Sequence, residues 1–270
     1  MKQSELEHLC NQTGLLVEVV AGFIRNEVGK VEAGQIEVKS LNSLVSYVDK
    51  TAEEKLVAGL QKILPGSVFL TEEATIAAES GEFQWIIDPL DGTTNFLHQL
   101  PCFAVSVALR HEEKMVVGIV HEVNHNESFY AWKGGGAFLN GKPIRVSPTT
   151  RLADSLIATG FPYRDYDKIK PYFVALEELM KRTRGLRRFG SAATDLAYVA
   201  CGRFDAFFEY SLSPWDVAAG ILLVQEAGGK VTDFGGGEDF LFGGEMLAAS
   251  GGVFEEMLAQ VRAAFKKDAD

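Results

Sequence analysis

Four carboxylates and two adjacent hydroxyls carry the chemistry this chain offers. Asp88 and Asp91 flank Pro89-Leu90, and Gly92, Thr93 and Thr94 follow directly. The apolar run from Trp85 to Ile87 predicts a short buried strand. Pro89 is expected to end it, because proline has no N–H for a sheet ladder. In a tight turn the two aspartates and the Leu90 carbonyl can face one point, an all-oxygen set suited to a hard cation such as Mg²⁺. The N–H groups of Gly92, Thr93 and Thr94 suit a phosphate, above all if a helix begins there. A strand tip offering cation ligands and anion donors together points to metal-assisted phosphoryl chemistry. The competing reading is an ordinary Asp-Pro/Asp-Gly turn.

Two more acidic positions strengthen the first reading. Glu72-Glu73 closes the strand-like run Val68 to Leu70. Neighbouring side chains of an extended chain point oppositely, and Glu72 is the one expected to face the site. Ser213-Pro214-Trp215-Asp216 has the order of a helix start, with serine as N-cap, proline in the first position and Asp216 in the first turn. A carboxylate there also simply complements the helix dipole. Glu209 follows the strand-like run Phe204 to Phe208 in the same neighbourhood. Glu72, Asp88, Asp91 and Asp216 thus all fall at element ends, the rim where open α/β sheets bind ligands. Two unit charges about 4 Å apart repel by roughly 4 kcal/mol at an effective dielectric near 20. Several such pairs would rival the ~5–15 kcal/mol stability of a domain, so clustered carboxylates need cations or protons.

One motif points elsewhere. His121-Glu122-Val123-Asn124-His125 matches H-E-x-x-H, the zinc-peptidase pattern, which requires a helix to bring both histidines to one face. The preceding Val116 to Val120 reads as a strand and Asn124 favours a turn, so the match is taken as chance. The glycine runs at Gly134 to Gly136 and Gly235 to Gly237 fit no phosphate-binding fingerprint and read as loops.

The elements that must position these residues follow from periodicity. The 270 residues are 47% hydrophobic and 23% charged, a globular composition. A net charge of −11 argues against a nucleic-acid or anionic-membrane surface. Cys10, Cys102 and Cys201 form no C-x-x-C pair, which suits a reducing compartment. Residues 1–8 lack the apolar core of a signal peptide and no run reaches membrane-spanning length, so a cytoplasmic protein is expected. Helical spacing marks Ser4 to Val28, with Ser4-x-x-Glu7 as a capping box, and Thr51 to Leu64, with Thr51-x-x-Glu54 as another. Residues 103–147 read as a β-meander with a hairpin at Asn140-Gly141. Beyond residue 150, strands at Leu156 to Thr159, Phe204 to Phe208 and Met246 to Ala249 alternate with helices, which implies a partly parallel sheet. The expected division is a metal-binding α+β half over 1–150 and an α/β half over 151–270, acting as one catalytic unit. Arg184, Arg187 and Arg188 form a basic patch facing a dimer mate, the substrate or solvent.

Taken in order, Glu72-Glu73, the run Asp88 to Phe96, and Trp215-Asp216 through Gly220 resemble the inositol monophosphatase family. The resemblance spans nearly the whole chain. It implies a layered αβαβα sandwich, a homodimer, two to three Mg²⁺ ions and sensitivity to Li⁺. It also implies that Glu72, Asp88, the Leu90 carbonyl, Asp91 and Asp216 hold metal. Thr93 with Asp49 would orient or deprotonate the attacking water, beside Glu72. Gly92 and Thr93 would bind phosphate, and Gly190, Ser191, Ala192, Glu209 and Asp216 the alcohol side. Ser191 stands where threonine is frequent. The implied reaction is direct hydrolysis of an inositol monophosphate. Alternatives are a sugar or nucleotide phosphatase on the same scaffold, of the fructose-1,6-bisphosphatase or NADP phosphatase type, and a regulatory binding protein with a structural metal.

Overall fold

In the computed structural model, which describes residues 1–40, 43–162 and 165–266, two large sheets, of seven and five strands, alternate with three helical layers. The first layer is α1 (Gln3–Glu27) and α2 (Tyr47–Ile63), joined through the hairpin β1 (Ile36–Ser40) and β2 (Ser43–Ser46). Their apolar stripes, Leu6, Leu9, Val17, Val20 and Ile24 on one and Val48, Leu56 and Leu60 on the other, are buried. They cover a sheet of β3 (Val68–Thr71), β4 (Phe83–Asp91), β5 (Ala104–His111), β6 (Lys114–Glu122), β7 (Glu127–Trp132), β8 (Gly136–Leu139) and β9 (Lys142–Ile144). Its strands lie in chain order, β3 and β4 parallel and the rest antiparallel. The short helix α3 (Thr93–Leu97) interrupts it between β4 and β5.

The second sheet holds β10 (Leu156–Thr159), β11 (Gly185–Arg187), β12 (Ala206–Tyr210), β13 (Lys230–Thr232) and β14 (Glu245–Ala249), in spatial order β11-β10-β12-β14-β13. β10 runs parallel to both neighbours, and the other pairs are antiparallel. The outer face carries α4 (Ile169–Arg182) and α7 (Phe254–Lys266). Between the sheets lie α5 (Ala192–Ala200) and α6 (Pro214–Glu226). The succession of layers is therefore αβαβα, the sandwich expected. Val217 to Val224 of α6 are buried throughout, as suits a helix apolar on every side.

Several boundaries depart from their sequence expectation, each for a local reason. Helix α1 starts one residue early, because Glu5 accepts the Lys2 N–H at 2.7 Å; Ser4 and Glu7 form no cap. Helix α2 starts at Tyr47 rather than Thr51. Ser46 is its N-cap, accepting the Val48 N–H at 3.2 Å, while Asp49 takes the Ser46 N–H at 2.8 Å. Strand β4 does not stop at Pro89 but runs on to Asp91. Its register with β5 slips between Asp88–Ser106 and Asp91–Ala104, a bulge, and β3 pairs with it only as far as Ile87. Pro89 sits where no ladder wants its missing N–H. Glu209 lies inside β12 instead of after it, and Gly136 opens a strand, β8, in what read as a loop. Strand β13 was not expected at all, being three residues beside paired glycines.

The seat of α6 decides where Asp216 points. A Cβ at Gly118 on β6 would lie 2.8 Å from the Ala219 carbonyl, so the helix backbone rests on the sheet at a glycine. Gly118→Ala is expected to push α6 outward and destabilise the protein by about 1–3 kcal/mol, the usual cost of overpacking. Thermal melting checks this, and an unchanged midpoint would show that the contact yields freely.

Candidate active site

The bulge in β4 turns both Asp88 and Asp91 to one side of the sheet end, and α6 aims Asp216 at the same place. Ligand oxygens of Asp88, Asp91 and Asp216 all lie within 4.8 Å of one another, the group of three or more potential metal-ligating side chains found among the described residues. They line a cleft of about 490 Å³ together with Glu72, Leu90, Gly92, Thr93, Thr94, Gly190 and Arg188. Asp88 Oδ1 accepts the Leu90 N–H at 2.9 Å, which shapes the bulge. Asp216 closes back on the Ser213 N–H at 2.7 Å, so its position is fixed by the helix cap. Asp91 Oδ2 accepts the Ser191 hydroxyl and the Ala193 N–H, both at 2.7 Å, at the N-terminus of α5.

The electrostatics follow from burial and like charge. Burial first, then the charges of Glu72, Asp91 and Asp216, push the Asp88 carboxyl well above the usual range, and a hydrogen bond with Glu72 adds to this. Burial raises Asp91 to about 6, against the hydrogen bonds from Ser191 and Ala193. Three crowded oxygen donors of this kind fit a hard divalent cation, whose charge removes the reason for the upward shifts.

Beside the trio, Thr93 Oγ1 stands 2.9 Å from Asp49 Oδ1 and 3.0 Å from the Leu90 carbonyl, and can give its one proton to either. Asp49 is buried, which raises its carboxyl above the usual range, while hydrogen bonds from Ser46 and Thr93 pull it down. Gly92 is the N-cap of α3 with φ of 96°, and a Cβ there would lie 3.0 Å from the Cys102 carbonyl. Only glycine holds that left-handed turn without strain. Gly92, Thr93 and Thr94 line the cleft at the start of α3, where helix geometry leaves the first amides without partners along the chain.

Of the residues expected at the alcohol side, Gly190 lines the cleft, while Ser191 and Ala192 lie buried behind it. Glu209 is buried beneath, against Gly160, where a Cβ would come within 2.1 Å of its carboxylate. Burial and the charges of Asp216 and Asp91 hold Glu209 well above the usual range. The basic patch divides. Arg188 reaches the cleft, its guanidinium 5.9 Å from the Phe161 ring centre, whereas Arg184 pairs with Asp154 at 3.3 Å.

The H-E-x-x-H match serves a turn. His121 is buried on β6, and Glu122 accepts the N–H groups of Asn124 and His125 at 3.2 and 2.6 Å.

Residues that sequence reasoning passed over include Phe161 and Pro162 on the cleft wall, Asp195 and Asn95. Asp195 is buried in the first turn of α5, its carboxyl raised by burial and by Glu209. Its place after Ser191 in a helix start was the available signal. Asn95 lies within the Asp88 to Phe96 run. Its Nδ2 ties the Cys102 and Phe189 carbonyls together, each at 2.7 Å.

A pH dependence follows. A carboxyl raised on folding is stabilising while protonated, and that stability is lost as pH rises from the unfolded value of 3.8 through about 6 for Asp91. Divalent cations compete with those protons. The rise in melting temperature given by excess Mg²⁺ is therefore expected to be small near pH 5 and to grow toward about pH 8. A Mg²⁺ effect independent of pH would place the ion elsewhere.

A model of the inositol monophosphatase family matches residues 5–266. Inositol-1-monophosphatase of Mesorhizobium japonicum is 41% identical over 240 residues, covering 88% of this chain and 90% of that protein. Nus factor SuhB of Pseudomonas aeruginosa is 42% identical over 245 residues, covering 89% and 90%. Among solved structures, extragenic suppressor protein suhB of Bartonella henselae superposes with a TM-score of 0.87 at 39% identity, covering 95% of this chain and 98% of that one.

Proposed function

The chain belongs to the inositol monophosphatase family, and from that premise we propose that it is a Mg²⁺-dependent phosphomonoesterase acting on inositol monophosphate. The meeting of Asp88, Asp91 and Asp216 within 4.8 Å carries this reading. With Glu72 and the Leu90 carbonyl, these residues would hold two to three Mg²⁺ ions. The bound metal would supply charge neutralisation for the phosphoryl group and its leaving oxygen and lower the pKa of a water.

The chain's own residues do the rest. Thr93 offers a lone pair to the attacking water while its proton points at Asp49, whose raised affinity for protons suits a base. Gly92 and Thr93 present backbone amides to the phosphate oxygens. Gly190 leaves the wall open for the alcohol, Ser191 holds Asp91 in place, and Ala192 and Glu209 back that wall. Positioning and electrostatics supply most of the rate in phosphoryl transfer. The active form in this reading is a homodimer, inhibited by Li⁺.

Phosphate release across inositol monophosphates, sugar phosphates, fructose 1,6-bisphosphate, NADP and nucleotide bisphosphates, with and without Mg²⁺ and Li⁺, tests it. Inositol monophosphate is expected to give the highest kcat/KM, only with Mg²⁺ and less with Li⁺. A higher value for a sugar or nucleotide ester would reassign the substrate. A second reading, a binding role exercised with or without catalysis, draws on the relatives named Nus factor SuhB. Metal-dependent melting with no phosphate released from any ester would favour it.

A further inference from the structure

Glu53 lies on α2 and is completely buried, yet it does not line the cleft. Its carboxylate is met by neutral donors. Oε1 accepts the Thr71 hydroxyl at 2.9 Å, the Thr75 N–H at 2.8 Å and the Thr75 hydroxyl at 2.7 Å. Oε2 accepts the Glu73 N–H at 2.8 Å. An apolar side chain would serve packing better, since a buried charge is costly even when well satisfied.

The donors share one property: Thr71, Glu73 and Thr75 bracket Glu72. Glu72 in turn gives its N–H to the Ile87 carbonyl at 3.2 Å, next to Asp88. Asp49, one helical turn before Glu53 on the same face of α2, holds Thr93. A single helix thus grips both loops of the acidic site, one carboxylate for each.

We propose that Glu53 is a positioning residue that sets Glu72 against the Asp88, Asp91 and Asp216 group and thereby the affinity for divalent cations. This rests on the proposed function through the metal alone. Glu53→Gln is the informative variant. Its amide nitrogen must replace one oxygen and so face a donor, which breaks at least one contact beside Glu72 while the size of the side chain is kept. Thr75→Val removes one hydroxyl and is the milder companion.

Titration calorimetry with Mg²⁺ alone, thermal melting without metal, and steady-state hydrolysis of inositol monophosphate at varied Mg²⁺ form the test. Glu53→Gln is expected to weaken Mg²⁺ binding by about tenfold or more, as loss of a residue that orients a metal ligand does. The Mg²⁺ concentration for half-maximal activity should rise by the same factor, with kcat at saturating Mg²⁺ and KM for the ester near wild type. Thr75→Val should shift both metal readings in the same direction by less. A folded Glu53→Gln that binds Mg²⁺ as wild type does, or a lowered melting temperature with unchanged affinity, would overturn the proposal. If Glu53→Gln does not fold, unchanged Mg²⁺ affinity in Thr75→Val overturns it equally. The calorimetry needs no ester, so an inactive wild type that binds Mg²⁺ counts against the phosphatase reading alone.

Discussion

Asp91→Asn is expected to lower Mg²⁺-dependent phosphate release by at least about a hundredfold, in line with the loss of one electrostatic group from a preorganised site. The same substitution is expected to raise the melting temperature of the metal-free protein. Both hydrogen bonds to Asp91 arrive at Oδ2, from Ser191 and Ala193. An asparagine oxygen can keep them, while its amide turns toward Asp88 and Asp216 and donates where there was repulsion. A gain in stability with a loss of activity is the signature of a charge held for function. Near-normal turnover would remove Asp91 from the site, and a strongly destabilised variant would make it a structural residue.

Thr93→Val is the second large effect. It removes the hydroxyl between Asp49 and the Leu90 carbonyl without changing the size of the side chain. Phosphate release is expected to fall by about 10²-fold or more, as when a group that handles the proton of the nucleophile is lost. Asp49 keeps its two bonds from Ser46, at 2.8 and 2.7 Å, so the fold should persist. Calorimetry should find Mg²⁺ affinity close to wild type, and Thr93→Ser should recover most of the rate. A Thr93→Val enzyme that turns over normally would leave the attacking water to the metals alone.

The carboxylates were legible because each stands beside punctuation: Asp88 and Asp91 around a proline and before a glycine, Asp216 after Ser-Pro, Glu72 at a strand end. Such residues are rare inside regular elements and so marked the sheet end, although Pro89 itself lies within β4 at a bulge. The αβαβα layering came from the family resemblance; periodicity by itself reached only strands alternating with helices and a partly parallel sheet. What escaped depends on neighbours distant in sequence. That β4 would continue through Pro89 depends on where β3 stops. The start of α2 at Tyr47 depends on Asp49 serving as cap and as partner of Thr93 at once. Glu53 carries no local signal, and only the loop folded over it makes it buried. Phe161 and Arg188 reach the cleft from segments without periodicity, where no local signal tells which way a side chain faces.

Anomalous diffraction from crystals soaked in Mn²⁺, standing in for Mg²⁺, tests most directly whether Asp88, Asp91 and Asp216 meet around bound metal. At least one anomalous peak within coordination distance of all three carboxylates is the predicted result. Full soaking with no peak there, or with Asp216 turned away from Asp88 and Asp91, would contradict it.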